Sequence, residues 1–243
     1  FARRARFNRM NNGAVDSPAP KPWTHNPPIL HDGKLFVLPT DGKYLSVYDA
    51  ATGAEVKRVD LAHFDNADEL IGIVGDSMVL SSGKQVWCVR WPAYDVDNFK
   101  GLDDDSIQWM NTPGERRGRG FVTRDAVVVA TDKRMARIDL KLGRVTQNYP
   151  TADRNPQEWT EDEAAGNVLV SADHVIVAGD TRVDVYTDMD MARQKLDREI
   201  AVAPNDPAPR LRFAEVMFVA GKTELAVAKL DEAIKLLGGS ESM

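Results

Sequence analysis

Ionisable residues that could do chemistry are concentrated in two short segments of the 243-residue sequence. The first contains Asp103, Asp104 and Asp105, and clustered carboxylates are the oxygen ligands that calcium prefers. These aspartates lack the D-x-[DN]-x-[DN]-G spacing of an EF-hand loop, so we expect a solvated acidic loop, with calcium binding as the alternative. The second segment, residues 114–120, is Gly-rich and basic but lacks the phosphate-binding pattern G-x-x-x-x-G-K-[ST]. We expect an exposed connection there, with anion binding as the alternative.

Histidine and cysteine offer little further chemistry. The four histidines, His25, His31, His63 and His174, show no metal-ligand spacing, so we expect each to be a polar residue of a loop or strand. The single cysteine, Cys88, excludes an intrachain disulfide. It lies in an apolar strand pattern, which favours a small buried hydrophobe over a nucleophile. These residues therefore predict neither a catalytic nor a metal site.

The overall charge restricts the classes of partner. The formal net charge of −6 argues against nonspecific nucleic-acid binding, for which a basic surface is expected. Residues 1–9 are the basic exception; we expect a solvated terminus, with contact to phosphate or lipid head groups as the alternative. The apolar runs are shorter than the roughly 20 residues that a transmembrane helix needs. We therefore expect neither nucleic acid nor a transmembrane segment.

Internal repeats are the strongest signal for the fold. Four segments share one pattern, in which a Gly- or Asp-containing turn, a short apolar strand, a second turn and another strand follow each other. The centres of the first strands, Phe36, Val79, Val128 and Ile176, recur at intervals of roughly 40–50 residues, the length of a β-propeller blade. The sequence therefore predicts a mainly β fold of about four propeller blades.

A second motif recurs in register with these blades. Asp49 and Asp139 each stand four residues before a glycine, Gly53 and Gly143, and Thr52 precedes the first glycine. An aspartate at the end of a strand accepts hydrogen bonds from the next turn, and glycine takes the positive φ that closes the turn. We expect these five residues to build structural turns of the repeat.

The stretch VYDAATGAEV, residues 47–56, resembles the repeat of pyrroloquinoline-quinone-type (PQQ-like) β-propellers. That superfamily includes eight-bladed quinoprotein dehydrogenases and a noncatalytic scaffold of outer-membrane β-barrel assembly in the bacterial envelope. The resemblance covers about residues 27–188. It implies a ring of eight blades and a periplasmic or cell-envelope location.

The chain departs from this family in its blade anchors and its blade number. The family repeat places a tryptophan shortly after the glycine, but neither Gly53 nor Gly143 is followed by one. Trp109 and Tyr149 are the residues that we expect to replace it. Because the chain begins at Phe1 and shows four blades, we expect part of a larger ring with its natural N-terminus missing. Such a protein should bind its missing propeller half or form a homo-oligomer.

The end of the sequence changes from a period of 2 to a period of 3.6, which predicts helices. We expect an extended segment over 1–26, the propeller blades over 27–187 and a helical tail over 188–240. From Pro207 the pattern resembles a tetratricopeptide repeat (TPR), in which small and large residues at fixed positions let two helices pack closely. The matching positions, which the resemblance assigns to packing, are Ala214, Met217, Gly221, Ala226, Leu230 and Ala233. Phe213, Phe218 and Val219 are candidates for a face shared with another surface.

Three functional hypotheses remain open at this point. The first is a noncatalytic scaffold that binds other proteins through its blades and its TPR-like tail, without a cofactor. The second is a fragment of a PQQ-dependent quinoprotein dehydrogenase, for which the resemblance implies PQQ, Ca²⁺ and often a vicinal disulfide. The single cysteine excludes that disulfide. The third is a sensor of a sugar polymer or ligand in the envelope.

Overall fold

The computed structural model describes residues 2–8, 26–39, 42–149, 159, 165–171, 174–187 and 189–238, with the backbone alone for 2–8 and 189–190. His25 and Trp23 lie outside these residues. In chain order the described strands are β1 (Ala2–Asn8), β2 (Ile29–His31), β3 (Lys34–Val37), β4 (Tyr44–Asp49), β5 (Glu55–Asp60), β6 (Glu69–Val74), β7 (Ser77–Ser81), β8 (Val86–Arg90), β9 (Ile107–Asn111), β10 (Phe121–Val122), β11 (Ala126–Ala130), β12 (Met135–Asp139), β13 (Val145–Tyr149), β14 (Asn167–Val170), β15 (His174–Ala178) and β16 (Arg182–Thr187).

The strands form four antiparallel sheets of four strands each. Blade 1 consists of β2–β5, blade 2 of β6–β9 and blade 3 of β10–β13, each in sequence order. Blade 4 has the order β1-β16-β15-β14, so its outer strand comes from the start of the chain. The predicted fold class is confirmed: the protein is mainly β, with propeller-type blades followed by helices.

Apolar residues on both faces of the inner strands hold blades 1–3 together. Blade 1 contributes Phe36 and Val47 to the same buried cluster as Met78 and Trp87 of blade 2. A second cluster joins blades 2 and 3 through residues such as Val79, Trp109 and Val127. Short strands that are buried on both faces account for the continuous apolar runs in the sequence, since neither face meets water.

Each blade has two ends with different connections. Because neighbouring strands are antiparallel, the β2–β3 and β4–β5 turns lie at one end of blade 1, and the β3–β4 and β5–β6 connections lie at the other. We call the first end the turn face and the second end the loop face, and use the same names for the corresponding ends of blades 2 and 3. A Lys34–Asp49 ion pair of 2.8 Å lies on the turn face of blade 1.

Three helices follow the last strand: α1 (Met189–Val202), α2 (Ala208–Val219) and α3 (Thr223–Gly238). Pro207 precedes α2 directly, where a missing N–H leaves no helical hydrogen bond unmade. Gly221 has a φ of +71°, which lets the chain reverse between α2 and α3. Leu196 of α1 and Phe213 of α2 belong to the apolar cluster of the helices.

The chain divides into two compact units. One contains Arg9–Leu169 and Val177–Asp180, and the other contains Phe1–Asn8, Val170–Ile176 and Thr181–Met243. The first unit includes blades 1–3, and the second includes β16 and the three helices. The predicted domain boundaries stay a prediction.

Candidate interaction surface and the turns of the repeat

The Asp49 turn is a closed network of short hydrogen bonds. The Asp49 Oδ1 atom accepts hydrogen bonds from the Thr52 N–H at 3.0 Å and from the Thr52 hydroxyl at 2.9 Å. Gly53 has a φ of +73° and donates its N–H to the Asp49 carbonyl at 2.8 Å. The Lys34 ammonium bonds to the other carboxylate oxygen, and together these bonds lower the pKa of Asp49 strongly. Every hydrogen bond that the structure shows to this carboxylate comes from a donor in blade 1.

The Asp139 turn of blade 3 has the same geometry. Its Oδ1 atom accepts from the N–H groups of Lys141 at 2.9 Å and Leu142 at 2.7 Å. Gly143 has a φ of +66° and donates its N–H to the Asp139 carbonyl at 2.9 Å. Leu142 stands where blade 1 has Thr52, so this turn lacks the hydroxyl bond. Both turns lie on the turn face.

Trp109 of β9 packs against the Asp139 turn of the next blade. Its indole Nε1–H donates to the Leu140 carbonyl at 2.7 Å, and the neighbouring Asn111 amide donates to the Gly143 carbonyl at 2.7 Å. A Cβ on Gly143 would lie only 2.5 Å from the Trp109 ring. The positive φ of the turn and the close Trp109 ring therefore both favour glycine at this position.

Lys57 occupies the corresponding position in blade 1, which the sequence alone did not reveal. Lys57 pairs with Val47 across β4 and β5, as Trp109 pairs with Cys88 across β8 and β9. Its ammonium donates to the carbonyls of Pro92 and Tyr94 in blade 2, both at 2.7 Å. A lysine thus replaces the tryptophan as the donor that connects one blade to the next. Strand register counted from the turn glycine is the signal that finds it.

The segment between β8 and β9 covers the outer strand of blade 1 with aromatic rings. Tyr94 is buried, accepts the Asp60 N–H at 3.1 Å and bonds to the His63 ring at 2.8 Å. Burial raises the pKa of Tyr94 to about 12. Phe99 stacks on His63 with 4.3 Å between ring centroids. The acidic segment between β8 and β9 therefore also packs closely against blade 1.

The acidic residues of this segment bind their own backbone. The Ser106 hydroxyl donates a hydrogen bond to the Asp104 carboxylate, as do the N–H groups of Ser106 and Lys100, and these bonds lower the pKa of Asp104. Asp103 and Asp105 are exposed. Among the described residues, no group of three or more His, Cys, Asp or Glu side chains could hold a metal ion.

Polar contacts connect the starts of the inner strands on the loop face. The Asn26 side chain bonds to the Asp68 carbonyl at 2.8 Å and the Leu70 N–H at 3.0 Å, joining blade 1 to blade 2. Glu69, the first residue of β6, accepts the Gly120 N–H at 2.9 Å and so joins blade 2 to blade 3. The Asn167 amide oxygen accepts the Arg119 N–H at 2.8 Å.

Glu69 is the buried acid of this face. Its carboxylate pairs with the Arg116 guanidinium at 3.0 Å and is only 4% exposed. Burial raises its pKa, although Arg116 and the Gly120 N–H act in the opposite direction. The Glu69 carboxylate therefore attaches the loop before blade 3 to blade 2.

The arginines of residues 114–120 already have partners. Arg116 pairs with Asp68 and Glu69, and Arg117 pairs with Glu115 at 3.1 Å. The Arg119 guanidinium donates to the Leu70 carbonyl at 3.2 Å. These cations hold the connection between blades 2 and 3 in place, and this arrangement favours the structural interpretation of the segment over anion binding.

A groove of about 570 Å³ opens on the loop face of blade 1. It lies between the residues that flank the β3–β4 connection and the segment between β5 and β6. Apolar and charged side chains both line it, namely Leu38, Lys43, Tyr44, Asp60, Leu61 and Asp68. Asp60 caps a short 3₁₀ helix through the Ala62 N–H at 3.0 Å. The groove combines apolar contact area with charges at its rim, as protein-binding surfaces do.

The residues of the TPR-like pattern take different places in the helices. Ala214, Met217, Ala226 and Ala233 are buried, and the first three belong to the apolar cluster of the helices. Leu230, by contrast, is 40% exposed on α3. Phe213 is buried as well and lies under the Lys229 ammonium. Phe218 and Val219 are exposed at the end of α2.

His31 and Cys88 each have a hydrogen-bond partner within the blades. The His31 ring bonds to the Gly75 carbonyl at 3.1 Å. Cys88 is buried beside Gln108, and burial raises the pKa of its thiol to about 11. No helix among the described residues is long and apolar enough to cross a membrane.

Comparisons with known proteins concern the fold of the blades. No protein-family model and no curated protein matches the chain. Solved structures that resemble it include apo AztD from Citrobacter koseri, with 15% identity and a TM-score of 0.46 over 69% of this chain and 44% of that chain. Another is Sqt1 from Saccharomyces cerevisiae, with 11% identity and a TM-score of 0.41 over 63% and 40%.

A third is the β-propeller domain of Cps50 (Swd1) from Myceliophteria thermophila, with 11% identity and a TM-score of 0.41 over 63% of this chain and 54% of that chain. The chain thus spans about half, or less, of the length of these proteins. At such low identity and TM-score these structures carry no argument about the function or the partners of this chain. The chain is a propeller-type protein by its own four sheets.

Proposed function

We propose that this chain is a noncatalytic scaffold that binds other proteins, built from PQQ-like propeller blades with a TPR-like tail. The groove on the loop face of blade 1 carries the proposal. Its lining offers apolar side chains and rim charges to a partner, whereas the buried acid Glu69 of the same face is used to join blades. A surface of this composition suits a polypeptide partner, because side chains of both kinds find a complement in it.

The PQQ-like and TPR-like assignments rest on separate features. Two turns with the same backbone hydrogen bonds to the aspartate, at Asp49 and Asp139, support a common blade repeat of the PQQ-like type. Buried alanines at the α2–α3 contact, Ala226 and Ala233, support the TPR-like assignment, because small residues let two helices approach closely. A periplasmic or cell-envelope location rests on the resemblance to the envelope scaffold. No cofactor is part of this function.

Capture of partners with matched surface variants tests the proposal. The chain is immobilised and exposed to a bacterial envelope extract, and captured proteins are quantified by mass spectrometry. Lys43→Glu and Tyr44→Ala change the groove, Phe218→Glu changes the exposed end of α2, and Leu142→Glu changes an exposed side chain on the turn face as a control.

We expect the groove variants to lower capture of specific partners at least tenfold, with the control unchanged. Equal capture by all four variants would overturn the assignment of the binding surface. A second assay adds PQQ and Ca²⁺ and follows the absorbance of the quinone and dye-linked alcohol oxidation. Stoichiometric binding with turnover would replace the scaffold function by a dehydrogenase.

A further inference from the structure

The helix α3 exposes a stripe of apolar side chains along one face. Val227, Leu230 and Ile234 are 49%, 40% and 62% exposed, and Leu237, which is half exposed, continues the same spacing. Steps of three and four residues place these side chains on one side of a helix. Among the described helices, only α3 has four exposed apolar side chains in this spacing. We call these four residues the α3 seam.

The equivalent face of α1 packs against a neighbouring helix. The helices α1 and α3 begin about 34 residues apart, which is the length of a TPR unit. By this offset, Leu196 of α1 corresponds to Leu230 of α3. In the same way, Ile200 corresponds to Ile234. Leu196 is buried in the cluster that contains Phe213 of α2, and Ile200 packs against that cluster. The α3 seam therefore continues, one unit further along the chain, the interface that joins α1 to α2.

The residue types of the seam indicate which helix fits it. Read as a heptad, the seam has Val227 and Ile234 at position a. Leu230 and Leu237 then take position d. β-Branched residues at position a with leucine at position d favour two parallel helices. The α3 helix of a second copy presents the same seam, so the two helices can match each other about a two-fold axis.

The charges beside the seam favour the parallel orientation. Glu224 and Asp231 take position e and are exposed, whereas the two buried alanines of α3, Ala226 and Ala233, take position g. In a parallel pair, position e of one helix lies beside position g of the other, so the carboxylates meet alanines. An antiparallel pair would bring Asp231 near Asp231 of the second copy, and like charges so placed repel each other.

We propose that two copies of the chain associate through their α3 seams as a parallel pair of helices. A two-fold contact covers the seam of both copies at once and closes at a dimer, whereas a head-to-tail contact would continue into filaments. The contact with α2 already holds α3 in helical form, so association does not have to fold it.

The dimer should be weak and should not depend on the proposed binding function. About two heptads make a small interface compared with the roughly 1,200 Å² of a stable complex, so we expect a dissociation constant in the micromolar range. The groove of blade 1 takes no part in the seam. Loss of the dimer would therefore leave the groove as a candidate binding surface, and loss of partner capture would leave the dimer.

Measurement of molecular mass against concentration tests the proposal. By light scattering and sedimentation across the micromolar range, the mass should rise from 26.9 kDa toward twice that value. Ile234→Glu places a charge in the seam, whereas Leu225→Glu places one on the opposite side of α3, where Leu225 is 45% exposed. Both variants should keep the helical circular dichroism of the wild type, because both side chains are exposed. Ile234→Glu should raise the dissociation constant at least tenfold, and Leu225→Glu should leave it unchanged.

Cross-linking through introduced cysteines tests the orientation of the pair. In a parallel pair, position d faces position d, so Leu230→Cys should form a disulfide-linked dimer on mild oxidation. Neither the matched control Leu225→Cys nor the wild type, whose Cys88 is buried, should cross-link.

Four results would overturn the proposal. The first is a chain that stays monomeric across the range of concentration. The second is a dimer that Ile234→Glu leaves intact or that Leu225→Glu weakens equally. The third is a Leu230→Cys variant that does not cross-link. The fourth is a seam that captures a helix of a different protein, in a manner that Ile234→Glu abolishes, while the chain itself does not dimerise.

Discussion

Two requirements meet at Gly143. Its φ of +66° costs a residue with a Cβ about 1 kcal/mol, and the Trp109 ring occupies the space that a Cβ would need. Gly53 has a similar φ of +73°, but a Cβ there would meet nothing within 4 Å. In blade 3 the turn glycine therefore packs against a ring of the preceding blade, whereas in blade 1 the space beside the turn glycine is open.

Alanine at the two glycines should separate these effects. We expect Gly53→Ala to lower the free energy of unfolding by about 1 kcal/mol, from backbone strain alone. Gly143→Ala should cost about 1–3 kcal/mol more, because Trp109 must move and the interblade core is overpacked. Urea unfolding measures both. Equal losses would mean that the Trp109 contact contributes nothing to stability.

Glu69 should give the protein a specific pH dependence. Burial raises its pKa above the ordinary value of 4.5, so the native state binds a proton more tightly than the unfolded state does. The free energy of unfolding should therefore fall as pH rises above about 4.5, through the range in which the native state still retains the proton. Glu69→Gln cannot titrate and keeps an acceptor for the Gly120 N–H.

Urea unfolding at a series of pH values from 4 to 8 compares the variant with the wild type. Relative to Glu69→Gln, the wild type should lose stability as the pH rises. Parallel stability curves would show that the Glu69 carboxyl does not titrate differently in the folded chain. The carboxylates with lowered pKa, Asp49 and Asp104 among them, act in the opposite direction in both proteins and cancel in the comparison.

At the scale of elements, the outer strands β5 and β9 each connect their blade to the next through one side chain at the same register. Trp109 fills this position in β9, and Lys57 fills it in β5. The two side chains differ in shape, but each donates to carbonyls of the following blade. The strand register thus sets where the donor lies. The residue type at that register differs between the two strands, as does the segment of the following blade to which it donates.

Removing the donor should loosen blade 1 from blade 2. Lys57→Met keeps the length of the side chain but leaves the Pro92 and Tyr94 carbonyls without it, which should cost about 1–3 kcal/mol. Lys84→Met, at an exposed lysine, is the control and should stay within about 0.5 kcal/mol. Similar values for both variants, from chemical unfolding followed by tryptophan fluorescence, would exclude a connecting role for Lys57.

The helices depend on small residues where α2 and α3 meet. Ala226 is 1% exposed in this contact, whereas Ala228 lies on the exposed side of the same helix. Ala226→Leu should lower the thermal midpoint of the helical signal in circular dichroism, because the added volume costs about 1–3 kcal/mol. Ala228→Leu introduces the same residue at an exposed site and should leave the midpoint nearly unchanged. A reversed order of effects would contradict this packing.

At the scale of the whole molecule, the exposed side chains of Ile234 on α3 and Leu30 on blade 1 offer a test of whether self-association adds to stability. A partner that binds the native state alone stabilises it by mass action. The midpoint of thermal unfolding should therefore rise with protein concentration in the wild type and in Leu30→Glu, and much less in Ile234→Glu. Differential scanning calorimetry over a hundredfold range of concentration provides the measurement. A midpoint that is independent of concentration in all three proteins would argue against self-association.

The sequence by itself determined the elements that depend on local chemistry. The Asp-x-x-x-Gly spacing predicts the turns at Asp49 and Asp139 because aspartate accepts from nearby N–H groups and glycine alone takes positive φ without strain. The recurrence of apolar strands predicts blades, and the change of period after blade 4 predicts helices. These patterns act over a few residues, so the linear sequence contains them in full.

The tertiary structure alone decided which residues meet across blades. Lys57 shows no signal of its own in the sequence, since its partners are carbonyls of a segment some 35 residues away. The same holds for Glu69 beside Arg116, and for the groove on the loop face, whose sides come from separate connections. Likewise, Leu30 and Ile73 look alike as apolar strand residues, and burial alone distinguishes them. Contacts between distant segments depend on register and on which faces are covered, and three-dimensional packing sets both.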